Sequence, residues 1–298
     1  MKIAIALALF AGLAGPAAPA LAAGAPGTPA VSPTPTATAF AAGRPQTGAA
    51  TAAAAPAPTG VAAPATAATA QPATSASPAA GPSSVVLVAR YGFDGGADGG
   101  HVADTSGRGP VLTIRSADQG VIRFESAPEG GRYIAFPDLC PAAATCPRAL
   151  LEAADDADLN PGTRLFHWSA RVRVLKTQVK GSANIMQKGV ATTGSQWKMQ
   201  IGATQGRAQC VVVGVGSAKA YLARSAATVA DGLWHKIFCE RSGSTLSVYV
   251  DGVVKGTTAI PATLSISNTR PMRIGGANFN AHSDMYHGLL DDVYAELG

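Results

Sequence analysis

The fold class follows from one stretch of sequence, Phe166-His-Trp-Ser-Ala-Arg-Val-Arg-Val174. Apolar side chains occupy every second position of this stretch, and polar side chains occupy the positions between them. Because successive side chains of a β-strand point to opposite faces of a sheet, the alternation predicts a strand with one buried face. Trp168 is therefore predicted to face a hydrophobic core.

A second alternating segment predicts a hairpin. Leu246-Ser-Val-Tyr-Val250 is followed directly by Asp251-Gly252, a favoured pair for a two-residue turn, and Val253-Val254 is then predicted to begin the return strand. Glycine or proline punctuates the region about every ten residues, and no window shows a helical period. Many short strands of this kind predict an all-β fold, a two-sheet antiparallel sandwich.

Several motifs of this region resemble the laminin G-like domains of the concanavalin A-like lectin/glucanase superfamily. The motifs occur in the family's order: Tyr91-Gly-Phe-Asp-Gly95, Asp104-Thr-Ser-Gly107, Leu159-Asn-Pro-Gly-Thr163, Ile185-Met-Gln-Lys-Gly189, Asp231-Gly-Leu-Trp-His235 with Ser244-Thr-Leu-Ser-Val-Tyr-Val-Asp-Gly252, Met272-Arg-Ile-Gly-Gly276 and Gly288-Leu-Leu-Asp-Asp-Val-Tyr294. The resemblance implies a jelly roll and places Trp234 in its core. It does not determine function, because this fold hosts many functions.

The N-terminal part predicts export. Lys2 precedes the apolar segment 3–13, and small residues follow, so residues 1–22 are predicted to be a signal peptide cleaved after Ala22. Ala18-Pro19-Ala20 is an alternative cleavage site, and an uncleaved anchor is an alternative to cleavage. A spanning helix within this segment is disfavoured because Pro16 and Pro19 interrupt it early, and no transmembrane helix is predicted beyond it.

Residues 23–84 consist almost wholly of Ala, Pro, Thr, Gly and Ser, and they are predicted to be a disordered linker. The linker is either a spacer, with O-glycosylation of its threonines as one option, or a neutral tail. Residues 85–298 are predicted to be the single folded domain, and the protein is predicted to be secreted, either free or attached to the cell surface.

Charge argues against a nucleic-acid partner. Lys2 and Arg44 are the only two of the 23 basic residues outside the domain, so the domain has 21 basic residues against 18 acidic ones. This small and scattered excess is too weak for nucleic acid or an anionic membrane. The sequence carries no indication of oligomeric state.

Cysteine use agrees with export. The chain has four cysteines, and an even number in an oxidising compartment predicts two disulfides, for which three connectivities exist. The simplest connectivity closes a small loop between Cys140 and Cys146, and it leaves Cys210 to pair with Cys239.

No catalytic residues are predicted. Related glucanases carry Glu-x-Asp-x-x-Glu on one strand, whereas no two of the five glutamates here share such spacing. The acidic run Glu152, Asp155, Asp156 and Asp158 is interpreted as a solvated loop. His282, Asp284 and His287 suggest either a small metal site or, more simply, a polar loop.

The resemblance implies one structural Ca²⁺ that ties the chain ends together. The family's positions correspond to Asp94 and Asp291 here, with Asp104 as a helper. The alternative is that Asp291 makes a hydrogen bond to a neighbouring loop without metal. Four further aromatic residues near predicted turns are either candidates for stacking on a sugar or half-buried residues at strand ends: Trp197, Tyr221, Phe279 and Tyr286.

These observations predict a secreted or surface-tethered, non-catalytic module that binds a carbohydrate or a cell-surface ligand, without indicating the ligand-binding residues. Two alternatives stay open: a glycan-active enzyme, hydrolase or lyase, with an atypical site, and a structural or adhesive surface protein.

Overall fold

A computed structural model describes residues 84–140, 145–202, 204–279 and 284–298. The predicted signal peptide and almost all of the predicted linker lie outside these ranges, as does His282. The described residues form β1 (Val86–Tyr91), β2 (His101–Val102), β3 (Leu112–Ala117), β4 (Arg123–Ser126), β5 (Arg132–Ala135), β6 (Arg148–Ala153), β7 (Phe166–Leu175), β8 (Ala183–Val190), β9 (Ser195–Gly202), β10 (Arg207–Val213), β11 (Ala220–Thr228), β12 (Asp231–Ser242), β13 (Thr245–Val250), β14 (Val253–Ala259), β15 (Met272–Ile274) and β16 (Leu289–Leu297). Short 3₁₀ helices span Ala157–Leu159, Lys176–Gln178 and Ala191–Thr193.

The strands form two antiparallel sheets, which confirms the predicted sandwich. The first sheet has the order β14-β13-β12-β7-β16-β5-β4, and β1 also pairs with β16. The second sheet has the order β11-β10-β9-β8-β15-β6-β3-β2. Strands β8 to β11 therefore form a meander in which neighbours in sequence are neighbours in space.

Strand β7 has the predicted buried face. Its five apolar residues at alternate positions, Phe166 to Val174, are all at most 1% exposed. Phe166 stacks on Trp168, with ring centroids 5.3 Å apart, and both rings pack on Trp197 from β9. These three aromatic side chains join the two sheets at the centre of the core.

The predicted hairpin is also confirmed. Asp251 and Gly252 connect β13 to β14, and both have positive φ, 52° and 79°. Positive φ at both central positions is the requirement of a type I′ turn, whose twist matches that of the flanking strands.

Three predictions about aromatic residues are wrong. Trp234 is half-buried on the outer face of the first sheet, because it shares the outward orientation of Lys236 and Phe238 on β12. There it packs edge-on against Tyr133 and under the Arg171 guanidinium. Trp197 and Tyr286 were candidates for a surface, but both are fully buried core residues.

Both predicted disulfides are present, with Cα–Cα distances of 5.6 Å for Cys140–Cys146 and 5.7 Å for Cys210–Cys239. Cys210 lies on β10 of the second sheet and Cys239 on β12 of the first. The second disulfide therefore crosses the core and links the sheets covalently.

Candidate functional site

The outer face of the second sheet carries buried polar side chains. On β9, the core side is formed by Trp197, Met199 and Ile201. Gln196, Lys198 and Gln200 alternate with them and point outward, yet each is at most 9% exposed. Polar side chains this deeply buried are informative, because burial costs free energy unless each group finds a partner.

The strand register extends this pattern to neighbouring strands. Gln200 lies opposite Asn184 of β8 on one side and opposite Gln209 of β10 on the other, and Lys198 lies opposite Gln187. Residues directly opposite each other in antiparallel strands point to the same face. We call the resulting set the amide face: Asn184, Gln187, Gln196, Lys198, Gln200 and Gln209.

The amide groups of this face hold one another in place. Gln200 Nε2 donates to Gln209 Oε1 at 2.6 Å, and the amides of Asn184 and Gln187 are hydrogen-bonded at 2.8 Å. Gly202, at the end of β9, makes room for Gln209: a Cβ atom at Gly202 would lie 2.3 Å from Gln209 Nε2. The side chain of Gln209 is thus fixed by both its partner and its neighbour.

Asp284, from the connection between β15 and β16, is attached to the amide face. Its Oδ2 accepts a hydrogen bond from Lys198 Nζ at 3.2 Å, and its main-chain oxygen accepts one from the main-chain N–H of Asn184 at 3.0 Å. Burial lowers the pKa of Lys198, and the Asp284 carboxylate offsets part of that effect. A segment distant in sequence therefore borders this face.

A cleft of about 560 Å³ lies at this junction. Its neutral polar side chains are Ser182, Gln200, Thr204, Gln205 and Gln209, and its charged ones are Arg207, Arg224 and Asp284. Amides and hydroxyls both donate and accept hydrogen bonds, whereas guanidinium groups only donate. This combination suits a ligand rich in hydroxyl groups.

The sequence-based prediction missed this cleft, although a signal for part of it exists. The segment Gln196-Trp-Lys-Met-Gln-Ile201 alternates as clearly as β7, with long amide and amine side chains at the outward positions. The alternation indicates that these side chains face away from the core. It carries no information about Asp284, which is 86 residues from Lys198.

The predicted calcium residues Asp94 and Asp291 are close enough to interact electrostatically. Asp291 lies where β16 changes its partner from β5 to β1, and its Oδ2 is 3.2 Å from the Arg171 guanidinium. Burial raises the pKa of Asp291, and the charges of Asp292 and Asp94 raise it further, against the lowering effects of the hydrogen bond from the Asp292 main-chain N–H and of the Arg171 charge. Asp94 Oδ1 accepts from the main-chain N–H of Arg132 at 2.8 Å.

Asp104, the predicted helper, has a different role. Its carboxylate accepts from the main-chain N–H groups of Arg90, Arg108 and Gly109, and from the hydroxyl of Ser106. Burial opposes ionisation, but these hydrogen bonds together hold the pKa of Asp104 below its usual value. Asp104 therefore organises its own loop. Within the described ranges, no group of three His, Cys, Asp or Glu residues is arranged to hold a metal ion.

The acidic run is only partly the solvated loop that the sequence predicts. Glu152 lies on β6, where it makes ion pairs with Arg273 at 2.8 Å and Arg115 at 3.8 Å. Asp155 is 2.7 Å from Lys188 Nζ, whose side chain is fully buried. Both residues thus stabilise the fold.

Two of the five glutamates meet on the outer face of the first sheet. Glu240 and Glu296 flank His167, with carboxylate oxygens 3.2 Å and 3.0 Å from its two ring nitrogens. Glycosidases need substrate between their two carboxylates. Here the His167 ring lies between them, so the arrangement does not support paired-carboxylate hydrolysis.

The remaining predicted residues do not form one site. Tyr221 is half-buried beneath Lys219 Nζ, which is 4.8 Å from the ring centroid, and Phe279 is half-buried. His287 is buried, its Nδ1 lies 2.8 Å from the Pro137 carbonyl oxygen, and burial lowers its pKa. With Trp197 and Tyr286 in the core, the predicted aromatic platform is not assembled.

Family comparison agrees with the fold and with the motifs. Residues 152–295, which include the amide face and the cleft's arginines, match the family model of the concanavalin A-like lectin/glucanases superfamily. The predicted resemblance to laminin G-like domains is therefore confirmed over residues 152–295. No curated protein sequence matches the chain.

Solved structures of similar fold include binding domains. Domain 4 of the extracellular arabinanase of Geobacillus stearothermophilus, in complex with arabinotriose, matches with a TM-score of 0.55 and 15% identity, over 72% of this chain and 93% of that one. The binding domain of Paraclostridial Mosquitocidal Protein 1 matches with a TM-score of 0.51 and 14% identity, over 70% of this chain and 48% of that one. A structure of botulinum neurotoxin type C, whose cell entry depends upon interaction with two ganglioside molecules, matches with a TM-score of 0.51 and 10% identity, over 70% of this chain and 47% of that one.

At these identities the likeness establishes the fold of the laminin G-like domain alone. The chain also spans only about half the length of the two toxin structures. Among the residues that the structure describes, no helix has the length and apolar character needed to cross a membrane.

Proposed function

We propose that this chain is a secreted or surface-tethered, non-catalytic binding module whose laminin G-like domain recognises a carbohydrate in the cleft beside the amide face. The observation that carries the proposal is the hydrogen-bonded pair Gln200–Gln209 at the cleft wall. These side chains are fixed before a ligand arrives, so binding costs little conformational entropy. Their remaining donors and acceptors match sugar hydroxyl groups.

Two further observations support the proposal. The arabinanase domain of similar fold was solved with arabinotriose, and the type C neurotoxin interacts with gangliosides, so this fold holds saccharides in other proteins. Disulfides are typical of extracellular proteins, and the chain contains two. Together with the predicted signal peptide, they support secretion.

Binding of the full secreted chain to a glycan array, followed by calorimetry with the best soluble ligand, tests the proposal. Gln209→Ala removes the fixed amide and is expected to weaken binding about 10- to 100-fold, the cost of one lost buried hydrogen bond. Gln196→Ala is the matched control, because Gln196 is equally buried on the same face but does not line the cleft. Its affinity is expected to equal that of the wild type.

The alternatives predict different results. Release of reducing ends from the bound polysaccharide would favour a glycan-active enzyme. Absence of binding to every glycan, combined with co-fractionation with cell walls, would favour an adhesive protein. Binding that Gln209→Ala leaves unchanged would overturn the assignment of this cleft.

As a second proposal, a single structural Ca²⁺ is assigned to Asp94 and Asp291. Its support is electrostatic, since the charge of the exposed Asp94 acts on the partly buried Asp291 carboxylate, which has Arg171 as its counter-charge. Carboxylates are ligands that Ca²⁺ prefers, and the ion would add positive charge between the first and last strands. No role in carbohydrate binding is assigned to it.

A further inference from the structure

Two arginines of the cleft lie on the same face of neighbouring strands. Arg224 of β11 is directly opposite Gln209 of β10, and Arg207 precedes Gln209 by two positions on β10. The pairing of β10 with β9 is regular from Arg207 to Gln209, so these two side chains share a face, while a bulge in the pairing of β10 with β11 separates their partners Thr228 and Arg224. Both line the cleft.

Neither guanidinium group has an ion-pair partner among the described residues. Several other arginines of the domain are ion-paired, such as Arg90 with Asp292 at 2.8 Å and Arg108 with Asp158 at 2.6 Å, whereas others, such as Arg270, also lack an ion-pair partner among the described residues. What distinguishes Arg207 and Arg224 is that their two unpaired guanidinium groups line the same cleft.

The acidic residue in the cleft lining does not neutralise them. Asp284 is bonded to Lys198, whose ammonium group is largely buried. The negative charge of the Asp284 carboxylate and the positive charge of the Lys198 ammonium group offset each other. The guanidinium groups of Arg207 and Arg224 therefore leave the cleft with a net positive charge. Like charges on neighbouring strands are destabilising, and an anionic group placed between them would relieve the repulsion.

We infer that the cleft selects a carbohydrate chain that carries carboxylate groups, a uronic-acid polymer, with Arg207 and Arg224 binding the carboxylate. This inference rests on the proposed function, since the same cleft holds the sugar. A guanidinium group matches the planar geometry of a carboxylate through two parallel hydrogen bonds. Gln200 and Gln209, beside the two arginines, would contact the hydroxyl groups of the same residue.

The test compares polygalacturonate oligomers with the same oligomers after full methyl esterification, which keeps the sugar and removes its charge. Calorimetry with the full secreted chain is expected to give about tenfold or greater preference for the acid. Arg207→Gln and Arg224→Gln are each expected to reduce that ratio by about fivefold or more. Arg270→Gln, an exposed arginine outside the cleft, is the control and should retain the ratio.

The outcomes separate this inference from the proposed function. Equal affinity for acid and ester, or binding of neutral glycans only, would overturn the inference, while loss of that binding in Gln209→Ala would still support the function. Equal binding of dextran sulfate would show attraction by charge alone and would also overturn the carboxylate assignment. Failure to bind any saccharide would overturn both. Thermal melts of each variant verify folding.

Discussion

Cys210 and Cys239 face each other across the core, one from each sheet, and the disulfide between them joins strands β10 and β12. Both cysteines are fully buried. Cys210 immediately follows Gln209, so the covalent link between the sheets lies directly behind the amide face. The wall of the cleft is therefore anchored to the opposite sheet at this point.

Removal of this disulfide is expected to destabilise the domain strongly. The loop it closes has a sequence separation of 29, and the chain-entropy model gives about 3–4 kcal/mol for such a loop. Cys210→Ala combined with Cys239→Ala should lower the free energy of unfolding by about that amount in urea titrations. Cys140→Ala with Cys146→Ala, which opens a loop of separation 6, should cost less. An equal loss in both double variants would contradict this account.

The buried Lys188 ammonium group is expected to be required for stability. Lys188 Nζ donates to Asn160 Oδ1 at 2.9 Å and is 2.7 Å from Asp155 Oδ1, with further contacts to Asn268. Lys188→Met keeps the side-chain length but leaves these oxygens without their donor, so a loss of about 2–4 kcal/mol is expected in chemical denaturation. Lys180→Met, at an exposed lysine, should change stability by less than about 0.5 kcal/mol. Similar losses of stability in both variants would show that the contacts of the Lys188 ammonium group do not stabilise the domain.

His235 is expected to make stability depend on pH near neutrality. Burial opposes its protonation, but hydrogen bonds to Asp251 at 2.8 Å and Asp231 at 3.1 Å outweigh burial and raise the pKa of His235. A raised pKa in the folded state means that the contribution is complete below the unfolded value of about 6.5 and is lost as pH rises through the folded value.

The measurement compares the wild type with His235→Gln, because the difference cancels the effects of other titrating groups. The wild type should exceed the variant in free energy of unfolding by more at about pH 6 than at about pH 8.5. The same difference at both values would show that the two aspartates do not stabilise the protonated ring.

Calcium is expected to stabilise the domain through Asp94 and Asp291. At a concentration about a hundredfold above the dissociation constant, one bound ion adds about 2.7 kcal/mol, which a thermal melt with Ca²⁺ against chelator detects as a higher Tm. Asp291→Asn should abolish the calcium-dependent increment, whereas Asp138→Asn, at an exposed aspartate, should preserve it. A wild-type Tm that is the same with Ca²⁺ and with chelator would rule out the proposed calcium site.

Local pattern was sufficient for the fold class. The alternation in β7 and the Asp251-Gly252 turn each depend on residues within one short segment, and both are present as predicted. For Trp234, the family motif was less reliable than alternation. The resemblance places Trp234 in the core, but it lies at alternate positions with Lys236 and Phe238 on β12 and therefore points outward. The sequence left Trp197 as either a stacking candidate or a half-buried residue at a strand end, but its own strand alternates, and its position on the inward face buries it fully.

By itself, the sequence determined that the domain is a β-sandwich, since strand periodicity and turn chemistry are set by neighbouring residues. Only the tertiary structure decided which polar side chains share a cleft. Alternation marks Gln200, Gln209 and Arg224 as facing away from the core, but the register between strands makes them neighbours, and Asp284 arrives from a connection far along the chain. The physical reason is that a binding site depends on distances between segments, and those distances are set by how the sheets pair and pack.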